Sequence, residues 1–234
     1  MSQIILRSNI ANDDFTEFLY KQFDIQNKTE TVTIVPMIQT DELEQFEWNI
    51  GVILGNSGSG KSTVLHELAP CVKMRMWEDG KPLISLFPNK TPDEVCELYF
   101  GLGLCSVPTL LRTPRQLSNG EKARFDLAWE IGNAKDNTII YFDEFTSVVN
   151  RDVAKSMSYS LQRYVRKHNI KIVLSSCHFD IIQWLQPDWI FNLNKQVDGQ
   201  CELEHIVFND DANYSSYMKI NEKEILSDAK DIVG

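Results

Sequence analysis

One nine-residue loop constrains this chain more than any other feature. Gly55, Asn56, Ser57, Gly58, Ser59, Gly60, Lys61, Ser62 and Thr63 fit the pattern GxxxxGK[ST] in full. The pattern has meaning only between a strand and a helix. Here an apolar run, Trp48 to Leu54, precedes it, and Ser62 to Ala69 carries helical spacing after it. Glycines let such a loop curl until successive N–H groups point inward at phosphate oxygens. Lys61 is placed to reach the β- and γ-phosphates, and Ser62 to offer an oxygen to Mg²⁺. The helix that begins near Lys61 turns its positive end towards the anion. Nucleotide binding by Gly55 to Thr63 is therefore expected.

The rest of the chain alternates in type. Asp13 to Phe23 has apolar residues at helical spacing, and Asp14 with Glu17 suggests a capping box,. Thr31 to Ile38 is β-rich, with Pro36 suggesting an edge or a strand end. Lys81 to Thr91 reads as strand and loop. Asp93 to Gly101, with Pro92 at its first position, reads as a helix, and so does Ser118 to Gly132,. Thr138 to Phe142 is fully apolar, as the centre of a parallel sheet requires. A helix over Arg151 to His168 follows, then buried strands at Ile170 to Ser175 and Trp189 to Leu193. Glu202 to Phe208 suits an outer strand, and the tail over about 209–234 is polar with helical spacing. Strands alternating with helices predict an α/β fold with a doubly wound, mostly parallel sheet.

Composition narrows the function classes. Of 234 residues, 43% are hydrophobic and 24% charged, enough for an ordinary core,. The longest apolar runs, Gly51 to Leu54 and Thr138 to Phe142, are far too short to cross a bilayer, so no membrane insertion is expected,. The first residues have neither a basic lead nor a small-residue cleavage site, so no signal peptide is read. A net charge of −10 disfavours sequence-independent nucleic-acid binding, although a local basic patch stays open,. Five cysteines, at 71, 96, 105, 177 and 201, form no CxxC pair. They predict buried thiols in a reducing, cytoplasmic setting rather than a disulfide framework or a zinc site.

A second centre lies at Asp143 and Glu144, directly after the apolar strand. A parallel strand brings its C-terminal end to the rim that also carries the phosphate loop. Asp143 is then placed to hold Mg²⁺ through water, and Glu144 to polarise an attacking water. A third lies at Leu117-Ser118-Asn119-Gly120-Glu121, ahead of Lys122-Ala123-Arg124 and a helix. A serine and a glycine at a helix N-terminus form a further anion site.

Leu117 to Glu121 resembles the LSGGQ signature of ABC-type ATPases, with Ser118 lying 25 residues before Asp143. Asn119 and Glu121 depart from that pattern, and Glu121 adds a negative charge. Ser147-Val148-Val149-Asn150 is similar to the family's D-loop, with Asn150 in place of Asp. Ser175-Ser176-Cys177-His178 resembles its switch-histidine segment, His178 lying 35 residues after Asp143. The resemblance spans about Gly51 to His178. It implies one ABC-type ATPase domain over 1–234, with ATP and Mg²⁺ as its ligands. It also implies an ATP-dependent head-to-tail homodimer. Lys61, Ser62, Asp143, Glu144 and His178 of one chain would face Ser118 and Gly120 of the other.

Lys61 and Ser118 are only 57 residues apart, so the helical lobe, about 80–132, is expected to be shortened. No clear Q-loop glutamine appears, and Asn89 is a weak stand-in. Asp143 to Val148 and Cys177 to Asp188 resemble the ATPase part of ABC-type ATPase/acetyltransferase fusion proteins. That implies a soluble module energising a separate effector protein, either acetyltransferase-like or acting on nucleic acid. It also offers Phe23 as an adenine-stacking candidate, against the alternative of a core aromatic. A peripheral ATPase subunit of a membrane transporter is the alternative function. A nucleotide-gated binding module with negligible turnover is a third.

Overall fold

A computed structural model describes residues 3–26, 29–69, 80–135, 137–195 and 201–206. Cys71 and the tail predicted over 209–234 lie outside the described residues. In chain order the elements are β1 (Gln3–Asn9), α1 (Asp14–Phe23), β2 (Glu30–Pro36), α2 (Thr40–Leu43), β3 (Ile50–Leu54) and α3 (Lys61–Leu68). Then come α4 (Pro92–Gly101), α5 (Val107–Leu110), α6 (Asn119–Asn133), β4 (Ile140–Phe142) and α7 (Arg151–Lys167). The last are β5 (Ile172–Ser176), α8 (Ile181–Leu185), β6 (Trp189–Asn192) and β7 (Leu203–His205).

The central sheet has the order β4-β5-β3-β6-β7. Its first four strands are parallel, and β7 is antiparallel to β6. Side chains alternate across it with a period of two. Ile50, Val52, Leu54, Ile172, Leu174 and Ile190 face one core, shared with Leu98, Phe125, Leu161 and Ile181 from the helices. Ile53, Val173, Trp189 and Phe191 face the other, shared with Val35, Trp48, Val64 and Leu65. Both faces are covered, which is why the strands read as continuous apolar runs.

Four expectations need correction. The thiols are not uniformly buried: Cys105 and Cys177 are exposed, Cys96 is half-buried and Cys201 is buried. Thr138 to Phe142 does not form the sheet's centre. Its paired portion, Ile140–Phe142, is an edge strand, and β3 is central. The run is apolar because α6 packs over β4 and Phe145 meets Phe142 edge-on, with 6.4 Å between ring centroids. Lys81 to Thr91 contains no strand. Leu83–Ser85 is a single 3₁₀ turn, and Leu83, Leu86 and Phe87 are buried beneath the helices. Pro82 and Pro88 deny this segment ladder donors,. The cap of α1 is one residue earlier than expected. The Asp13 carboxylate accepts from the N–H groups of Phe15 and Thr16, and the Thr16 hydroxyl accepts from Asp13 N–H.

β1 has no counterpart among the expected elements. It pairs antiparallel with β2, Gln3 opposite Pro36, in a separate two-stranded sheet. The far end of β2 abuts the phosphate loop: a Cβ added at Gly60 would lie 2.9 Å from Val35 Cγ1. No residue of α1 is buried, and Phe15, Phe18, Leu19 and Phe23 are exposed. Among the described residues no helix is long and apolar enough to cross a membrane.

Gly51 shows how tightly β3 and β6 meet. A Cβ there would fall 1.9 Å from Cζ2 of the fully buried Trp189. Gly51→Ala must displace that indole, and overpacking of this kind costs about 3 kcal/mol. A lowered urea midpoint, followed by tryptophan fluorescence, is the expected result. An unchanged midpoint would show that the β3–β6 contact is looser than described.

Candidate nucleotide site

The phosphate loop leaves β3 at Leu54 and closes on itself at once. Ser59 N–H donates to Asn56 O at 3.2 Å. Gly55 is buried, and a Cβ there would sit 2.4 Å from Ser59 Oγ. Gly58 and Gly60 have φ of 81° and 95°, the left-handed region that side chains avoid,. Gly60 is the N-cap of α3, so Lys61, Ser62 and Thr63 occupy the helix's first turn. The loop's glycines are thus needed for its path as well as for phosphate access. Lys61 Nζ donates to Gly55 O at 2.9 Å and Asn56 O at 2.7 Å, which keeps the ammonium against the loop. Asn56 and Ser57 are exposed; Ser59 is half-buried.

The register of the sheet brings the acidic pair to the same rim. Leu54 lies opposite Ser176, and Phe142 opposite Leu174. The C-terminal ends of β3, β5 and β4 are therefore neighbours, and Asp143 follows beside Ser175. Ser175 Oγ donates to Asp143 Oδ1 in a short contact. Glu144 N–H donates to the same oxygen at 3.0 Å and to Ser175 Oγ at 2.9 Å. Phe145 is fully buried, and its N–H donates to Ser175 O at 2.8 Å. These bonds fix a sharp turn in which Glu144 and Thr146 have φ of 53° and 68°. Glu144 is left exposed, with the Ser147 hydroxyl 3.4 Å from Oε2. The motif reading gives Ser175 no role of its own, although it opens the switch-histidine segment. Its signal is a serine pair closing an otherwise apolar strand.

His178 stands beyond the end of β5. Its N–H donates to Ser176 Oγ at 3.1 Å, which in turn donates to Phe145 O at 3.0 Å. His178 Nδ1 lies 3.4 Å from the hydroxyl of the buried Thr146. Partial burial pushes the imidazole pKa below the usual histidine value, and the Arg151 cation pushes it further down; Asp180 opposes both. The ring is therefore neutral at pH 7. Arg151 grips Asp180 with two guanidinium nitrogens and lies over the Trp184 ring, 5.4 Å from its centroid. Asn150 caps α7 through Val153 N–H at 2.9 Å, the work an aspartate would do there,.

Ser118 is the N-cap of α6 and forms a full capping box with Glu121. Glu121 Oε2 accepts from Ser118 N–H at 2.9 Å and from its hydroxyl at 2.8 Å. The Thr109 hydroxyl donates to Oε1 at 2.8 Å. These bonds, the Ser118 backbone N–H first, hold the Glu121 carboxyl below its usual range. The charge flagged in the sequence is thus engaged locally. Gly120 faces Val153 of α7, 3.4 Å from where a Cβ would lie. The hydrogen bonds of the Ser118 side chain and of Gly120 O are to Glu121 and Arg124 of α6. Phe23, at the end of α1, is 64% exposed, so the core role fails for it. Asn89 lies in an exposed turn.

Neither a protein-family model nor a curated protein sequence matches the chain. Solved structures do resemble it. One is a dimeric post-hydrolysis state of the ATP-binding cassette MJ0796 bound to ADP and Pi, with a TM-score of 0.51 at 14% identity over 68% of this chain and 86% of that one. Another is a metal-chelate-type ABC transporter in an inward-facing conformation, with a TM-score of 0.51 at 16% identity over 67% of this chain and 72% of that one. At such identity the likeness is one of fold. The chain has the α/β fold of an ABC-type nucleotide-binding domain, a P-loop architecture on a mostly parallel central sheet.

Proposed function

We propose that this chain binds and hydrolyses ATP as a head-to-tail homodimer. The observation that carries the reading is one shared rim, where a glycine-curled loop with Lys61 neighbours Asp143 and Glu144 through the register of β3, β5 and β4. Gly55 to Thr63 wrap the phosphates with backbone N–H groups and the Lys61 cation. Asp143 and Ser62 offer hard oxygen ligands, as Mg²⁺ requires. Among the described residues, the hydrogen bonds to the Asp143 carboxylate fall on Oδ1, which leaves Oδ2 for a metal-bound water. Bound Mg²⁺ would supply charge neutralisation at the β- and γ-phosphates. Glu144 takes a proton from the attacking water. Neutral His178 keeps one ring nitrogen towards Thr146 and offers the other to the γ-phosphate,. Phe23 is the proposed base-stacking residue, its ring being available.

The second chain enters because Ser118 is exposed at the N-terminus of α6, with Gly120 half-buried beside it, where a nucleotide held by another chain could reach them. MJ0796 is a dimeric cassette bound to ADP and Pi. By the same logic two copies here would enclose two nucleotides, and hydrolysis would open them. The work is delivered to a separate effector protein in the cytoplasm; support for an acetyltransferase-like one comes from the resemblance of Asp143 to Val148 and Cys177 to Asp188 to fusion proteins. A transporter's peripheral ATPase subunit is the second reading, favoured by the metal-chelate-type transporter among the similar folds. Co-fractionation with a membrane partner would select it.

If the site is shared, the wild-type hydrolysis rate rises more steeply than linearly with protein concentration in the dilute range. A rate strictly proportional to concentration would mean that one chain suffices.

A further inference from the structure

The phosphate loop has a support that its motif does not contain. Leu54 and Asn192 are opposite each other where the β3–β6 ladder ends, and Leu193 N–H still donates to Leu54 O at 2.8 Å. Two residues further along each strand stand Asn56 and Asn194. Backbone pairing has stopped there, but the register continues through side chains. Asn56 N–H donates to Asn194 Oδ1 at 2.9 Å, and Asn194 Nδ2 donates to Asn56 Oδ1 at 3.1 Å. The two asparagines form a closed pair of bonds. Asn194 is itself held from behind, its N–H donating at 3.1 Å to Oδ1 of Asn192, whose side chain is buried.

We infer that Asn194 is a positioning residue for the phosphate loop, and that the inference rests on the ATP-binding role proposed above. The first bond decides which amides meet the nucleotide. Asn56 N–H is committed to Asn194, so the inward curl starts with the residues after it. The second bond fixes the Asn56 side chain. Asn56 O also receives Lys61 Nζ at 2.7 Å, so the clamp sets one of the two carbonyls that aim the lysine. The loop's start is thereby tied to the last turn of sheet instead of hanging from Leu54 alone. Both polar atoms of the Asn194 side chain are engaged by Asn56, so it acts through Asn56. An ordered loop binds more tightly because less conformational entropy is lost on binding.

Asn194 is exposed, so Asn194→Ala is expected to fold normally. Two lost hydrogen bonds of ordinary strength predict ATP binding weaker by about tenfold. The Michaelis constant should rise by the same factor while kcat stays within about twofold, because Glu144 and Asp143 are held from β5, not β6. Asn56→Ala removes only the side-chain bond, since its backbone N–H can still donate to Asn194, so it should lose less, about threefold,. The double variant should be no more than about twofold worse than Asn194→Ala, since that change alone already removes both bonds. Asn194→Asp keeps the acceptor but places an oxygen against Asn56 Oδ1. It should lose at least as much at low salt, and it carries the test if Asn194→Ala does not fold.

A fluorescent ATP analogue reads affinity in all variants, with Lys61→Ala alongside. Loss in Asn194→Ala and Asn56→Ala that does not multiply in the double variant supports the clamp. Wild-type affinity in Asn194→Ala, multiplying losses, or a fall confined to kcat overturns it while Lys61→Ala still loses binding. Unchanged affinity in Lys61→Ala overturns the site reading and the clamp together.

Discussion

Glu144→Gln is expected to bind ATP as tightly as the wild-type chain and to hydrolyse it at least about a hundredfold more slowly, the usual contribution of a positioned general base. The substitution keeps shape and hydrogen-bonding reach while removing the carboxylate's basicity. Folding should not be at issue. The turn is held through the backbone of residue 144 by Asp143 and Ser175, and by the buried Phe145, none of which needs a carboxylate at 144. The side chain itself is exposed, so nothing packs on the lost charge. Because ATP would be bound and not consumed, the variant should accumulate as an ATP-dependent dimer visible by light scattering. Hydrolysis at the wild-type rate would remove Glu144 from the mechanism.

The second large effect is on binding. Lys61→Ala should weaken ATP affinity by about a hundredfold or more, since charge-assisted hydrogen bonds to phosphate are worth about 3 kcal/mol together. Its ammonium is the one cation carried by the Gly55 to Thr63 loop. The variant also loses the Lys61 bonds to Gly55 O and Asn56 O, so the loop becomes looser as well as neutral. Left-handed Gly58 and Gly60 remain, and with them the path of the chain into α3. A melting temperature near that of the wild type is therefore expected alongside the lost affinity. Measured affinity that does not change would sink the phosphate-loop assignment.

Much of the fold is legible in the sequence where the constraint is local. The loop over Gly55 to Thr63 declares itself because only glycine accepts the backbone at 58 and 60. Pro92 with Thr91 and Glu94 announces the start of α4 through a capping box. Ser118 and Glu121 do the same for α6. The central place of β3 is not local. Both β3 and the Thr138 to Phe142 run are apolar, and only the pairing order separates a central strand from a covered edge. β1 is hidden for a related reason. Its partner β2 lies across a whole helix, and one apolar stretch near a terminus does not name the strand that will pair with it. Asp13 and Asp14 are both good caps, so only φ and ψ choose between them.

At the site the same division holds. Lys61, Asp143 and Glu144 are carried by motifs, whereas the roles of Ser175 and Asn194 follow only from register. Ser175 sits on β5 and Asn194 two residues beyond the end of β6, both distant in sequence from the motif residue that each holds in place. Phe23 is the reverse case. An aromatic at helical spacing suggests a core position, but α1 buries none of its residues.

The claim that one catalytic site needs two chains has a direct test. Ser118→Arg should bind ATP, since its own phosphate loop is untouched, yet fail to hydrolyse it. Lys61→Ala should fail for want of affinity. When the two inactive proteins are mixed, each mixed dimer contains one site with an intact Lys61 from one chain and an intact Ser118 from the other; the second site carries both defects. Steady-state hydrolysis in the mixture should therefore recover part of the wild-type rate, rising with the concentration of the limiting partner. A mixture no more active than the sum of its two components would contradict the shared site and leave Leu117 to Glu121 as an ordinary helix cap.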